Sequence, residues 1–203
     1  TQLFGRPVMI SRTGYTGERG YEIFCKAADA PTIWDTIVAE GKALGIVPCA
    51  FTALDWLRVE SSLLFYPYDN SDMYPMEGEP IGDSLWELGL DFTVSPGKTE
   101  FRGANEHFRL QGKERFKIFG VELASTEAAQ AGDALFDGDK KVGFVTCAMY
   151  SRLTGRSMAI ARVEPGIAEQ GVPLEVRGSL SAKAIAHSMP FDDPEKKKRT
   201  AKG

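Results

Sequence analysis

The chain has 203 residues, enough for one large domain or two small ones with a real core. Hydrophobic residues make up 43%, charged residues 26%, and the formal charge is −4, which fits an ordinary globular protein and argues against a basic nucleic-acid surface. No apolar run approaches the roughly 20 residues that span a bilayer, so no membrane partner is expected. Cys25, Cys49 and Cys147 lie far apart with no CxxC, a pattern that suits reduced thiols in a cytoplasmic compartment. His107 and His187 are the only histidines, so a His-rich zinc site is excluded on supply, no metal site is expected, and a Ser-His-Asp triad is disfavoured.

In chain order, residues 7–10 and 21–25 read as strands, being rich in β-branched and aromatic residues and bounded by turn formers. Between them Gly14, Gly17 and Gly20 recur every third residue, a hairpin-like connection with a glycine-rich tip. The spacing is GxxGxxG with no Gly-Lys-Ser/Thr ending, so it is not a phosphate loop. Strand alternation puts Tyr21, Ile23 and Cys25 on one face and Glu22 and Phe24 on the other. A carboxylate beside a large aromatic suits a flat polar ligand; on spacing alone, Glu22 reads first as the wet face of a strand.

Residues 29–45 predict a helix, with Asp29 as N-cap, Pro31 in the first turn and Gly45 as the stop. A second helix is predicted over 51–64, with an Asp55–Arg58 pair across one turn. Trp34, Trp56 and Trp86 read as core residues. Residues 65–83 form a long polar loop whose Tyr66, Tyr68 and Tyr74 either line a ligand cleft or pin the loop down. Strict alternation predicts a half-buried strand over 84–95, and a short helix follows over 101–110.

From residue 116 the pattern changes to six short strands, at 116–123, 134–136, 141–147, 157–163, 173–177 and 182–187, separated by glycine turns. That pattern predicts a small barrel or sandwich. The tail 192–203 lacks apolar residues and is expected to be disordered; its Lys196–Arg199 run reads as a solvated tail.

Four stretches carry a resemblance. Arg12-Thr-Gly-Tyr-Thr-Gly-Glu-Arg-Gly-Tyr-Glu-Ile23 resembles RTGYTGEDGxEI, the signature of the glycine cleavage T-protein (aminomethyltransferase) family. Leu54-Asp-Trp-Leu-Arg-Val-Glu60 resembles its ARDxLRLE segment, Leu85-Trp-Glu-Leu-Gly-Leu-Asp-Phe92 its PLExGLGW segment, and Phe101-Arg-Gly-Ala104 its FIGR segment. The resemblance implies an α+β fold: a mixed α/β folate-binding portion over 1–112, then a small antiparallel β-barrel over 113–191. It implies tetrahydrofolate-dependent one-carbon transfer, aminomethyl or methyl, from a small-molecule donor.

The resemblance puts forward Glu22, Tyr15, Arg58 and Trp86 as cofactor-binding residues. Glu22 would accept the row of N–H donors on the pterin ring, a charge-assisted pairing that also fixes orientation. The family's catalytic aspartate lies in an N-terminal part, so no catalytic residue is expected here. The resemblance accordingly implies the C-terminal half or so of a longer protein, with that N-terminal part as a partner and a carrier protein or a second copy as further candidates. Compartment would be cytoplasmic, or the mitochondrial matrix in a eukaryote.

Two departures point to a paralogue with a different donor. Leu54 stands where the family has the arginine of ARD, and Met189-Pro190-Phe191 is followed by acidic residues and Pro194. Two alternatives stay open: a non-catalytic folate-binding relative, or the folate-binding part of a larger oxidative demethylase whose flavin domain oxidises an N-methyl group. The first normally carries KGCYTGQE, and no cysteine stands in the matching stretch here.

Overall fold

The computed structural model describes residues 1–70, 72, 75 and 78–195. Two compact units are present, one taking in Thr1–Arg58 and the other Val59–Pro194. Tyr74 and the Lys196–Arg199 run lie outside the described residues.

The first unit carries an antiparallel sheet in the order β1 (Gln2–Leu3), β2 (Arg6–Ser11), β3 (Glu22–Cys25). After it in sequence come α1 (Ala30–Gly41) and α2 (Phe51–Glu60), the latter crossing the unit boundary in its last turn. Pro31 sits in the first turn of α1, where a missing N–H costs nothing. Asp29 stands at the N-cap position but makes no side-chain cap bond; it holds Arg6 at 2.8 Å instead. A 3-10 turn extends α1 to Leu44, and Gly45 stops it at φ +80°, a left-handed conformation that favours glycine. Trp34 and Trp56 are 56% and 44% exposed, which corrects the core reading of both: the unit buries Val8, Ile33 and Arg58 and leaves these rings outside.

The second unit opens with loop and helix and ends in a closed six-stranded barrel. Its strands are β4 (Lys117–Leu123), β5 (Ala134–Asp137), β6 (Lys140–Ser151), β7 (Arg156–Val163), β8 (Pro173–Arg177) and β9 (Ser181–His187), in the order β4-β7-β6-β5-β8-β9, with β9 pairing back to β4. All pairs are antiparallel. The interior is filled by small and branched side chains, among them Val121, Val145, Ala159, Ala161, Val176 and Ala186, all fully buried. A barrel this narrow has room for little more than its own side chains, and the alanines make the fit. A second apolar cluster, Val59, Phe116, Ile118, Met149 and Ile160, lies on the barrel's outside, with Leu64, Leu88 and Phe191 against it.

The alternation over 84–95 does not make a strand. Residues Leu85–Leu88 form the one-turn helix α3, and Asp91–Thr93 a 3-10 turn. Ser84 and Glu87 are the cause. The Ser84 hydroxyl accepts the Glu87 amide and the Glu87 carboxylate accepts the Ser84 amide, a reciprocal capping box that fixes the chain in a helical turn. The following helix α4 is Ala104–Leu110, shorter than expected at its N-terminus because Gly103 sits at φ +89°.

Loop 65–70 is fastened to the barrel from below. Asp69, 1% exposed, accepts the Phe65 amide at 2.8 Å and the Thr146 hydroxyl in a very short bond. Thr146 is the residue left unpaired where the β6–β7 register shifts, and that bulge aims its side chain at the loop. Glu60 holds Ser151 at 2.5 Å, and Asp192 donates its amide to the Glu60 carbonyl at 3.1 Å. No helix among the described residues is long and apolar enough to cross a membrane.

Candidate functional site

The site is built on the β2–β3 hairpin. Antiparallel register pairs Ser11 with Glu22, Ile10 with Ile23, Met9 with Phe24 and Val8 with Cys25. Paired residues share a face and neighbours alternate, so Met9, Ser11, Glu22 and Phe24 lie together. Met9 and Phe24 are 60% and 50% exposed, while Val8, on the opposite face, is buried. One face therefore presents a carboxylate at its loop end and an apolar bed of a thioether and an aromatic ring behind it.

The loop folds back over this end. Thr13 donates its hydroxyl to Glu22 in a very short bond, and the Ser11 and Thr13 hydroxyl oxygens lie 2.9 Å apart. The carboxylate is thus oriented by a side chain nine residues earlier in the chain. The glycines allow the fold-back. Gly17 takes φ +77°, and the two legs of the loop approach at Gly14 and Gly20, where a Cβ on Gly14 would lie 4.0 Å from the Gly20 Cα. A cavity of about 260 Å³ opens in the loop, lined by Arg12, Thr13, Gly14, Gly17, Glu18, Arg19 and Gly20. Two guanidinium groups and one carboxylate give its lining a cationic balance.

The four residues expected to hold a cofactor are placed as follows. Glu22 and Tyr15 are on the hairpin, Tyr15 half-buried in the loop. Arg58 is 2% exposed, and its Nε donates to Asp55 at 2.7 Å, the expected pair across one turn of α2. Leu54, where the family motif has arginine, is half-buried on the same helix. Trp86 lies in the second unit. Its Nε1 donates to the His107 carbonyl at 2.8 Å and its ring stacks on His107 with centroids 4.7 Å apart, so both its polar edge and one face are engaged within the protein. Of the loop tyrosines, Tyr66 is 70% exposed, and Tyr68 stacks on Phe65 at 5.3 Å.

Reasoning from sequence missed Thr13, whose role depends on the loop's return. It also missed Arg19, although the signal was present: the family motif quoted above has aspartate at that position. A second charged cluster, in the other unit, was invisible for the same reason as Thr13. Arg115 donates from Nε to Glu87 at 2.7 Å, from Nη1 to the Pro80 carbonyl at 2.9 Å and from Nη2 to the Gly82 carbonyl at 2.7 Å. Arg162, 1% exposed, reaches Asp83 at 3.0 Å. Burial alone would raise the Glu87 carboxyl; the Arg115 guanidinium and the amides of Ser84 and Arg115 outweigh it and bring it down to about 2. These groups tie residues 80–87 to the barrel and are structural. Among the described residues, no group of three or more His, Cys, Asp or Glu side chains is placed to hold a metal ion.

Comparisons with known proteins agree with this fold. Residues 1–98 match the family model described as the GCVT N-terminal domain, and residues 117–193 match the glycine cleavage T-protein C-terminal barrel domain. The chain is 76% identical over 203 residues to a heme-dependent oxidative N-demethylase gamma subunit of Ectopseudomonas mendocina, covering 100% of this chain and 54% of that protein. It is 36% identical over 200 residues to a trimethylamine-oxide aldolase of Ruegeria pomeroyi, covering 95% of this chain and 24% of the relative. An aminomethyltransferase of Bacillus subtilis is 35% identical over 195 residues, covering 93% of this chain and 51% of the relative. The chain thus spans about half the length of the N-demethylase subunit and of the aminomethyltransferase. The crystal structure of glycine cleavage system aminomethyltransferase T from Bartonella henselae superposes with a TM-score of 0.78 at 22% identity, over 90% of this chain and 49% of that one, a match of fold.

Proposed function

Because the chain belongs to the glycine cleavage T-protein family, we propose that it binds tetrahydrofolate at the Glu22 face and serves, within a longer protein, to load onto it a one-carbon unit released by oxidation of an N-methyl amine. The observation that carries the folate half is the shared face of Glu22, Ser11, Met9 and Phe24. A flat ring with a row of N–H donors meets a carboxylate at one end and an apolar bed at the other, so the residues present fit the group. The observation that carries the donor half is the match of the whole of this chain to about half of an oxidative N-demethylase subunit at 76% identity, against 35% for the aminomethyltransferase.

When bound, tetrahydrofolate supplies the nitrogens that accept the carbon. This chain's part is to bind and to orient. Glu22 accepts the ring donors, and Thr13 keeps the carboxylate from rotating out of that pairing. Met9 and Phe24 exclude water from one side of the ring and make the carboxylate's hydrogen bonds stronger there. Tyr15, half-buried in the loop, is assigned to the same ligand. Arg58 and Trp86 support the two units rather than the ligand, since each is already engaged by Asp55 and by His107.

In this reading the oxidation belongs to a partner. The 76% relative is by name the gamma subunit of a heme-dependent oxidative N-demethylase, where the sequence reading supposed a flavin domain. The test is an assay of free formaldehyde in the full-length protein assembled with its oxidising partner and supplied with an N-methyl amine. Added tetrahydrofolate should suppress formaldehyde release, and Glu22→Gln should restore it. Release that is indifferent to tetrahydrofolate would remove the proposal.

A further inference from the structure

The first unit is short of a core. Among its described residues, Val8 and Ile33 are the only apolar side chains that are fully buried. A small unit stands alone only when it buries more than half of the surface its open chain exposes, and this one does not have the buried side chains for that. The apolar residues that would make a core are present, but they lie outside.

They are concentrated in one stretch. Residues 43–54 carry no charged side chain, and residues 43–52 are exposed without a break. Leu44 is 89% exposed, Val47 72% and Phe51 65%. The stretch runs into α2, where Ala53, Trp56 and Leu57 stand three and four residues apart on one side of the helix, with Trp56 and Leu57 exposed. Exposed apolar surface of this continuity marks a place where something docks.

The entry to the stretch is held in shape. Gly45 donates its amide to the Lys42 carbonyl at 3.2 Å, and Ile46 donates to the Gly41 carbonyl at 3.1 Å. These are the paired bonds that close a helix through a left-handed glycine. Ile46 also packs on Gly41, where a Cβ would come within 2.7 Å of the Ile46 Cγ2. The backbone is therefore tied down where the bare side chains begin, which lowers the cost of ordering it against a partner.

We propose that residues 43–57 form a docking surface for the part of the same polypeptide that lies outside these 203 residues. The chain spans 54% of the N-demethylase gamma subunit and 51% of the aminomethyltransferase, so relatives of both kinds carry a comparable length of further chain. A unit without its own core needs a cover that arrives with folding, as a segment of one chain does and a subunit that comes and goes does not. An apolar, charge-free surface is also what a domain core looks like when half of it is taken away, whereas contacts between separately folded proteins are more polar. The interface shares with the folate reading only the longer protein and does not depend on folate.

The test puts p-benzoylphenylalanine in place of Val47 in the full-length protein. The protein is irradiated alone at two concentrations and again with its oxidising partner, and the cross-linked peptides are mapped. One dominant cross-link is expected, within a single polypeptide and into its part outside these residues, with a yield unchanged on about tenfold dilution. A cross-link to a second copy, to the oxidising partner or only within these residues would overturn the assignment, and so would the absence of any cross-link to protein. Hydroxyl-radical labelling of the unmodified full-length protein covers the case in which the substitution disturbs folding. Leu44, Val47 and Phe51 should be labelled at least about tenfold more slowly than in the urea-unfolded protein, and labelling at the unfolded rate would overturn the assignment as well.

Discussion

Thr13 donates its hydroxyl to Glu22 across the base of the glycine loop, so the loop and the strand that follows it form one device rather than two. The glycines matter because they let the chain return within nine residues to orient its own carboxylate. Thr13→Val keeps the shape and removes the donor. Tetrahydrofolate affinity of the full-length protein should fall roughly fivefold, with the melting temperature little changed. Calorimetry on the variant checks this.

Phe24 is half exposed and so contributes little to folding, yet it shares a face with Glu22. Phe24→Ala should weaken tetrahydrofolate about tenfold and leave thermal stability nearly intact. A variant that melts early with unchanged affinity would show the ring to be packing, not platform.

Glu87 predicts how the second unit responds to acid. Its carboxyl is ordinarily near 4.5 and falls to about 2 in the folded protein. The stability it contributes is complete above about 4.5 and is lost as the pH falls through about 2. Glu87→Ala removes the nearest of the carboxylates around Arg115 and the capping box of α3, and should cost about 3 kcal/mol at neutral pH. The difference between wild type and variant should shrink as the pH falls across that window, measured by denaturant melts.

Gly143→Ala tests the barrel. The new methyl would stand 2.1 Å from a backbone oxygen, which cannot swing aside as a side chain does. A loss of about 2–3 kcal/mol is expected, with faster hydrogen exchange along β6 and β7.

The barrel was legible because six short strand-like runs follow one another and glycine turns punctuate them; the expected 182–187, for example, is Ser181–His187 in the structure. Alternation misled over 84–95, where the Ser84–Glu87 capping box is stronger than the period. The tryptophans at 34 and 56 misled because size and spacing do not say which helix face finds a neighbour. At the site, Glu22 was legible from its motif. The bonds that make the structure around it were not, since Thr13 acts over nine residues and Arg115 over 28, and such pairings are set by folding rather than by local pattern.

The most direct measurement is anaerobic calorimetric titration of tetrahydrofolate into the full-length protein and into its Glu22→Gln variant. The account predicts binding in the first and a loss of roughly ten- to a hundredfold in the second, because a charge-assisted pairing becomes a neutral one with a misplaced donor. Equal affinity in the two, or no binding to either, would contradict it.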